Sequence, residues 1–179
     1  MTLRRAWLAA GVAVVVVAAG AVAWWRGNAP RVEVGARAPD FTATDLATGK
    51  TVSLRGTYHG TVTLVNVWAT YCIPCRQEMP AMDSLYHALG PQGFRIAAVS
   101  IDATPPDVVR HFAEQYHLTF DILHDPAGDI QDRYHTTGVP ESFLVDRDGR
   151  IVRIVQHGTE WNSPEIRRIV STLLSSPAS

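Results

Sequence analysis

The sequence predicts a three-layer α/β domain around a central mixed sheet, preceded by one apolar segment long enough to span a membrane. Three observations carry this reading. β-Branched runs typical of buried strands alternate with stretches whose apolar residues recur at three- and four-residue spacing. Hairpin signals stand at both ends of the domain, adding antiparallel edges to an otherwise alternating pattern. Only one stretch, near the N-terminus, is both long and uncharged.

Ala6 to Trp25 is a run of about 20 residues rich in Val and Ala, roughly 30 Å long as a helix, the thickness of a bilayer's hydrocarbon core. Arg4 and Arg5 precede it, and Trp24 and Trp25 end it. The positive-inside rule then puts the N-terminus in the cytoplasm. The expected protein is single-pass in the inner (cytoplasmic) membrane, with its domain facing the periplasm or other extracytoplasmic side. Ala21-Val22-Ala23 has the form of a cleavage site, but the run exceeds the usual signal-peptide core. Either processing leaves the domain in the same compartment. The expected organisation is an anchor over 1–26, a linker over 27–33 and a folded domain over 34–176.

Within the domain, residues 42–43 and 51–54 flank a polar turn over 45–50, which predicts a hairpin. Residues 61–68 (TVTLVNVW) read as a buried central strand. A helix is expected from Cys72 to about Leu89, since Met79, Met82, Leu85, Tyr86 and Leu89 share one face. Residues 94–101 (FRIAAVSI) form a second buried strand, 105–117 a helix with proline in its first turn, and 120–123 a short strand. A short helix is expected over 125–134, starting at an Asp-Pro cap. Residues 142–146 and 150–156 are strands joined through Asp148-Gly149, a strong hairpin signal. A helix closes the domain over 163–174, with Ser163 as N-cap and Pro164 in the first position.

The chain carries 16 Lys+Arg against 17 Asp+Glu. Setting aside Arg4, Arg5 and Arg26 leaves an acidic domain with no basic stripe, which argues against a nucleic-acid partner. There are two cysteines, Cys72 and Cys75. A bridge between them closes a very small loop and constrains the unfolded chain little, so chemistry explains the pair better than stability does. They lie where a buried strand runs into a helix. Free N–H groups and the macrodipole at a helix start favour an anion, and the thiolate is the reactive form of cysteine. Cys72 would sit at that start with Cys75 one turn in, and Pro74 lacks an N–H where its absence costs little. Half a zinc site, a passive disulfide or two buried thiols are the blander readings. Structural zinc needs about four ligands, and no second CxxC or HxxxH is present. His59, His87, His111, His117, His124, His135 and His157 show no metal-ligand spacing with the cysteines and read as surface or partly buried residues.

The segment WATYCIPCRQEMP resembles the active site of thioredoxin-like proteins, and specifically the membrane-anchored TlpA/ResA/CcmG group. The entry segment Val34-Gly35 and Ala38-Pro39-Asp40-Phe41 is similar, as are Pro80, Gly138-Val139-Pro140 with Phe143-Leu144-Val145-Asp146, and the anchor itself. The resemblance runs from about Val34 to Leu174. It implies a thioredoxin fold with an N-terminal β-hairpin and a βα insertion over about 102–123. Two positions depart from plain thioredoxin: Tyr71 stands where tryptophan usually precedes the first cysteine, and Asn66 replaces a buried acid. Asn66 cannot take a proton from the resolving thiol, and reads as a hydrogen-bonded core amide.

The resemblance also implies roles. Cys72 attacks a substrate disulfide, Cys75 resolves the mixed disulfide, and Glu78, one turn on, tunes the thiols unless it is a solvated surface glutamate. Tyr71, Ile73 and Pro74 beside the pair form one half of the expected substrate-binding set; Val139, a cis Pro140 and Glu141 form the other. Glu141 reads equally well as a surface charge. Trp68 is expected beneath the site and Trp161 in core or surface packing. The implied activity is reduction of protein disulfides outside the cytoplasm, on apocytochrome c or a copper-site protein, with electrons from a membrane thiol donor and no organic cofactor. A disulfide-forming oxidant and a copper metallochaperone are the rivals. A peroxidase shares the entry segment but lacks the expected peroxidatic-cysteine surroundings.

Overall fold

The computed structural model describes residues 32–176. The expected anchor over 1–26 and most of the linker lie outside these residues. Among the described residues no helix is long and apolar enough to cross a membrane. Seven strands and five helices follow in order: β1 Thr42–Asp45, β2 Thr51–Ser53, α1 Leu54–Thr57, β3 Val62–Trp68, α2 Ile73–Leu89, β4 Phe94–Ser100, α3 Pro106–Gln115, β5 Asp121–His124, α4 Asp129–Tyr134, β6 Glu141–Val145, β7 Ile151–Gln156 and α5 Pro164–Ser175.

The strands form one mixed sheet in the order β2-β1-β5-β4-β3-β6-β7. β3 pairs in parallel with β4 and antiparallel with β6, so it has a neighbour on each side, and all seven of its residues are buried. Side chains alternate across the sheet. Val62, Leu64 and Trp68 therefore enter one core with Met79, Met82 and Leu85 of α2, Phe112 of α3 and Ile166 and Val170 of α5. Val65 and Val67 enter the other, with Phe41, Ile130 and Tyr134 of α4, and Phe143. These are the two outer layers the pattern predicted. Asn66 falls on the first face, between Leu64 and Trp68 and towards α2. The expected βα insertion is α3 and β5, and β5 pairs with β4 on one side and the N-terminal hairpin on the other.

Two elements differ from expectation. Leu54 ends no strand; it opens the short helix α1, because Ser53 accepts a hydrogen bond from Gly56 N–H and caps it. α4 begins at Asp129, four residues after the predicted Asp-Pro cap. Asp125 is buried, and its carbonyl first closes a turn with Gly128 N–H. Gly128 then takes φ of 74° as N-cap, a conformation glycine adopts without strain. The Asp125 carboxylate still reaches the helix, accepting from Ile130 N–H at 2.8 Å.

Candidate active site

β3 ends at Trp68, and the chain turns through Ala69, Thr70 and Tyr71 into α2. Cys72 is the N-cap of that helix, and its sulfur accepts a hydrogen bond from Cys75 N–H at 3.1 Å. Cys72 and Cys75 are joined as a disulfide with Cα atoms 5.3 Å apart. Cys72 is 6% exposed and Cys75 is fully buried, so what little of the pair reaches solvent belongs to Cys72. Tyr71 and Ile73 stand out on either side at 68% and 66% exposure, and Pro74 is exposed beside them. These side chains leave apolar surface beside the disulfide.

The turn is held from below. Asp102 is 2% exposed and accepts from Thr70 N–H (2.9 Å), Thr70 Oγ1 (2.6 Å) and Ser100 Oγ (2.6 Å). Its backbone carbonyl meets His124 Nε2 at 2.9 Å, and His124 is buried, contrary to the surface or half-buried reading. Trp68 is fully buried beneath the site and packs on Phe112 with ring centroids 5.1 Å apart. Arg76, exposed on α2, lies over Phe112 and Tyr116 and donates to Tyr116 Oη. The inserted helix α3 is thereby joined to the first turn of the redox helix.

Glu78 is not a solvated surface glutamate. It is 4% exposed and enclosed by three donors from two distant segments. Asn66 Nδ2 donates to Oε1 at 3.1 Å; Trp161 Nε1 and Thr159 N–H donate to Oε2 at 3.0 and 3.3 Å. Asn66 Nδ2 also donates to Ser142 Oγ at 2.8 Å, across the β3–β6 register in which these two residues face each other. Burial pushes the Glu78 carboxyl above its ordinary value of 4.5, against the opposing pull of the Trp161, Thr159 and Asn66 hydrogen bonds. A shallow cleft lined by Pro74, Gln77, Gly158, Thr159 and Glu160 leads from the surface to Glu78.

The raised value has a consequence for stability. Between 4.5 and the higher folded-state value, the native protein binds more protons than the unfolded chain. Stability therefore falls as pH rises through that window and stays lower above it. Glu78→Gln is expected to flatten this slope in denaturant titrations of the oxidised protein from pH 4 to 8. An unaltered slope would assign the effect to another group.

The Val139–Pro140 peptide is cis, as expected. It immediately precedes β6, and Glu141 pairs with Val67. The cis bond thus lies at the sheet end where β3 departs for the disulfide turn. Glu141 is no surface charge: it is 6% exposed and accepts from Gln156 Nε2 at 3.1 Å. Val139 is half-buried and packs against both cores. The structure brings Cys72, Cys75 and Glu78 together on α2, and sets Val139, Pro140 and Glu141 at the same end of the sheet. Trp161, Thr159 and Ser142 were not singled out as site residues. Trp161 and Thr159 lie more than 80 residues from Glu78 in the chain, and no local pattern marks them. The pairing of Asn66 with Ser142 could have been found by aligning β3 and β6 antiparallel.

Residues 34–154 match the model of the AhpC/TSA family. The chain belongs to this family. Among AhpC/TSA relatives, the thiol-disulfide oxidoreductase ResA of Bacillus thuringiensis subsp. konkukian is 37% identical over 127 residues, 70% of this chain and 71% of that protein. ResA of Geobacillus kaustophilus is 39% identical over 124 residues, 69% and 70% of the two chains. In structure, the chain is similar to a protein from Chlorobium tepidum described as thiol:disulfide interchange protein DsbE. The TM-score is 0.73 and identity 28%, covering 81% of this chain and all of that one. StoA of Bacillus subtilis superposes with a TM-score of 0.58 at 26% identity, covering 68% and 90%. Within the AhpC/TSA family this chain is a thiol–disulfide oxidoreductase of the thioredoxin-like type.

Proposed function

We propose that this oxidoreductase is a membrane-tethered reductant of protein disulfides outside the cytoplasm. Its substrates would be the CxxCH of an apocytochrome c or the cysteine pair of a copper-site protein, and a membrane thiol donor would re-reduce it. The carrying observation is a nearly buried disulfide at a helix N-cap, with the buried Glu78 carboxylate one turn beyond. The apolar run over 6–25 supports the tether, and the likeness to ResA supports the thiol chemistry.

In the dithiol form the Cys72 thiolate gains the Cys75 N–H and the helix dipole. It attacks one sulfur of the substrate disulfide; that S–S bond breaks, and the other substrate sulfur leaves as a thiolate. Cys75 then gives up its proton, attacks Cys72 Sγ, restores the Cys72–Cys75 bond and expels the second substrate sulfur. Two electrons pass to the substrate, and two protons follow them. Glu78 is the acceptor for the Cys75 proton: its raised proton affinity brings it closer to the working pH than an ordinary carboxylate. An extended substrate segment pairs with the backbone beside Val139 and Pro140, in the manner of strand addition, while Tyr71, Ile73 and Pro74 contact its side chains and Glu141 lies behind the strand start.

Trapping tests the assignment. Full-length Cys75→Ser, expressed in its own cell, is expected to accumulate as a mixed disulfide with an exported cytochrome or copper-site protein, identified by mass spectrometry. Recovery of cytoplasmic partners only would sink the proposal, and a reduction potential near that of a strong oxidant, about −120 mV, would reverse its direction. Tyr71→Ala is expected to slow reduction of protein substrates several-fold, with stability changed by less than about 0.5 kcal/mol and small-molecule disulfides reduced normally. Equal loss on both substrate classes would remove Tyr71 from recognition.

A further inference from the structure

Two buried side-chain atoms around this site have no partner, Trp68 Nε1 and Asn66 Oδ1, and the second touches the chemistry of Glu78. Asn66 is fully buried on β3. Its Nδ2 serves both Glu78 Oε1 and Ser142 Oγ, while Oδ1 accepts no hydrogen bond. An unmatched buried carbonyl oxygen is unfavourable, and this one shares its amide carbon with a nitrogen held by the redox helix's own carboxylate.

The two oxygens of Glu78 are not equivalent. Oε2 accepts from an indole N–H and a backbone N–H, neither of which can become an acceptor. Oε1 accepts from Asn66 alone. A proton arriving on Glu78 therefore settles on Oε1, where it meets the Asn66 Nδ2–H, donor against donor. Turning the amide over exchanges Nδ2 for Oδ1 and converts that clash into an O–H···O hydrogen bond. Ser142 follows without moving, because a hydroxyl can donate as readily as it accepts. Each arrangement leaves one amide atom unmatched, so the charge on Glu78 decides between them.

We propose that Asn66 is the positioning residue for the proton on Glu78: a two-position amide that donates to the carboxylate and, after rotation, accepts from the carboxylic acid, with Ser142 reversing its hydrogen bond in step. This rests on Glu78 being the acceptor for the Cys75 proton. In that transfer the Cys75 S–H bond breaks and the Oε1–H bond forms, while the covalent structure of Asn66 is unchanged. Ser142 follows Glu141 and the cis Pro140 in the chain, so the rotation carries the protonation state of the helix to the strand that begins at the cis-proline. Other ionisable residues on the elements around Glu78 are Cys75, Arg76, Asp83, Tyr86 and His87 on α2, Glu141 on β6, and His157 and Glu160 between β7 and α5. None of them hydrogen-bonds its carboxylate. The resolving step thus depends on an amide placed where plain thioredoxin has an acid.

The test is a pH titration of the isotope-labelled full chain in detergent micelles, following Glu78 13Cδ and the Asn66 side-chain 15Nδ2 and its protons by NMR. The expected result is one shared midpoint, with the Asn66 protons moving as their acceptor is lost. Asn66→Leu removes the donor to the charged form and is expected to raise the Glu78 midpoint by about one unit. Asn66 signals that stay fixed while Glu78 titrates would overturn the proposal, whether or not the leucine variant folds. The pH–rate profile of Glu78→Gln separates the two ideas. If it matches wild type, Glu78 is not the proton acceptor and that reading fails, while a shared midpoint still establishes the amide coupling.

Discussion

Cys72→Ser is expected to reduce disulfide exchange at least about 10^3-fold, the scale on which removing a nucleophile acts. A serine hydroxyl is not ionised near neutral pH, and neither the helix N-terminus nor the Cys75 N–H compensates for that. Cys75→Ser behaves differently. Cys72 remains at the N-cap with its slight exposure, so the first attack proceeds, and the reaction stalls before release because no second sulfur stands behind it. Stopped-flow reaction of each reduced variant with a chromogenic aromatic disulfide separates the two steps. One equivalent of thiolate released by Cys75→Ser, and none by Cys72→Ser, is the expected pattern. The reverse pattern would exchange the roles, against the burial of Cys75. Both variants should fold, since the lost bridge closes a loop of minimal length.

Trp161→Ala is expected to destabilise the domain by about 3–5 kcal/mol, the range for deleting a buried tryptophan side chain. That corresponds to a fall in Tm of roughly 10 °C for a domain of this size. Two effects combine. Trp161 is 1% exposed among residues of α2, β3 and α5, so truncation opens a cavity. It also removes the indole donor from a buried carboxylate, leaving Glu78 Oε2 with one partner. Trp161→Phe separates these effects by keeping most of the volume and losing the N–H, which for a charged acceptor is worth about 1.5–3 kcal/mol. Its loss should be greatest at high pH, where Glu78 is ionised, and least at low pH. A phenylalanine variant as stable as wild type at pH 8 would show that the indole only packs.

The strands and helices were legible because their signals are local. β3 announces itself by a near-continuous β-branched run, α5 by Ser163-Pro164 at its start, and the β6–β7 hairpin by Asp148-Gly149, where Gly149 takes φ of 77°. The two misplacements also have local causes. Ser53 and Gly128 act as caps through geometry that composition does not reveal, one by accepting from Gly56 and the other by a left-handed turn. Burial was less legible than secondary structure. Glu78 and Glu141 are of a type that is mostly exposed and His124 of a type of intermediate burial, and here all three are buried with hydrogen-bond partners.

By itself the sequence determined the α/β alternation, the placement of two cysteines at a strand-to-helix turn, the proline before β6 and the family. Each of these depends on residues within a few positions of one another, where chain geometry leaves little choice. Only the tertiary structure decided the fate of Glu78. Its donors come from β3 and from the loop between β7 and α5, and a carboxylate becomes buried only when separate segments close over it. The same packing placed Asn66 between that carboxylate and Ser142. Hydrogen-bond partners brought together by folding leave no trace in spacing, because the contact is made by the sheet register and the helix face rather than by neighbours along the chain.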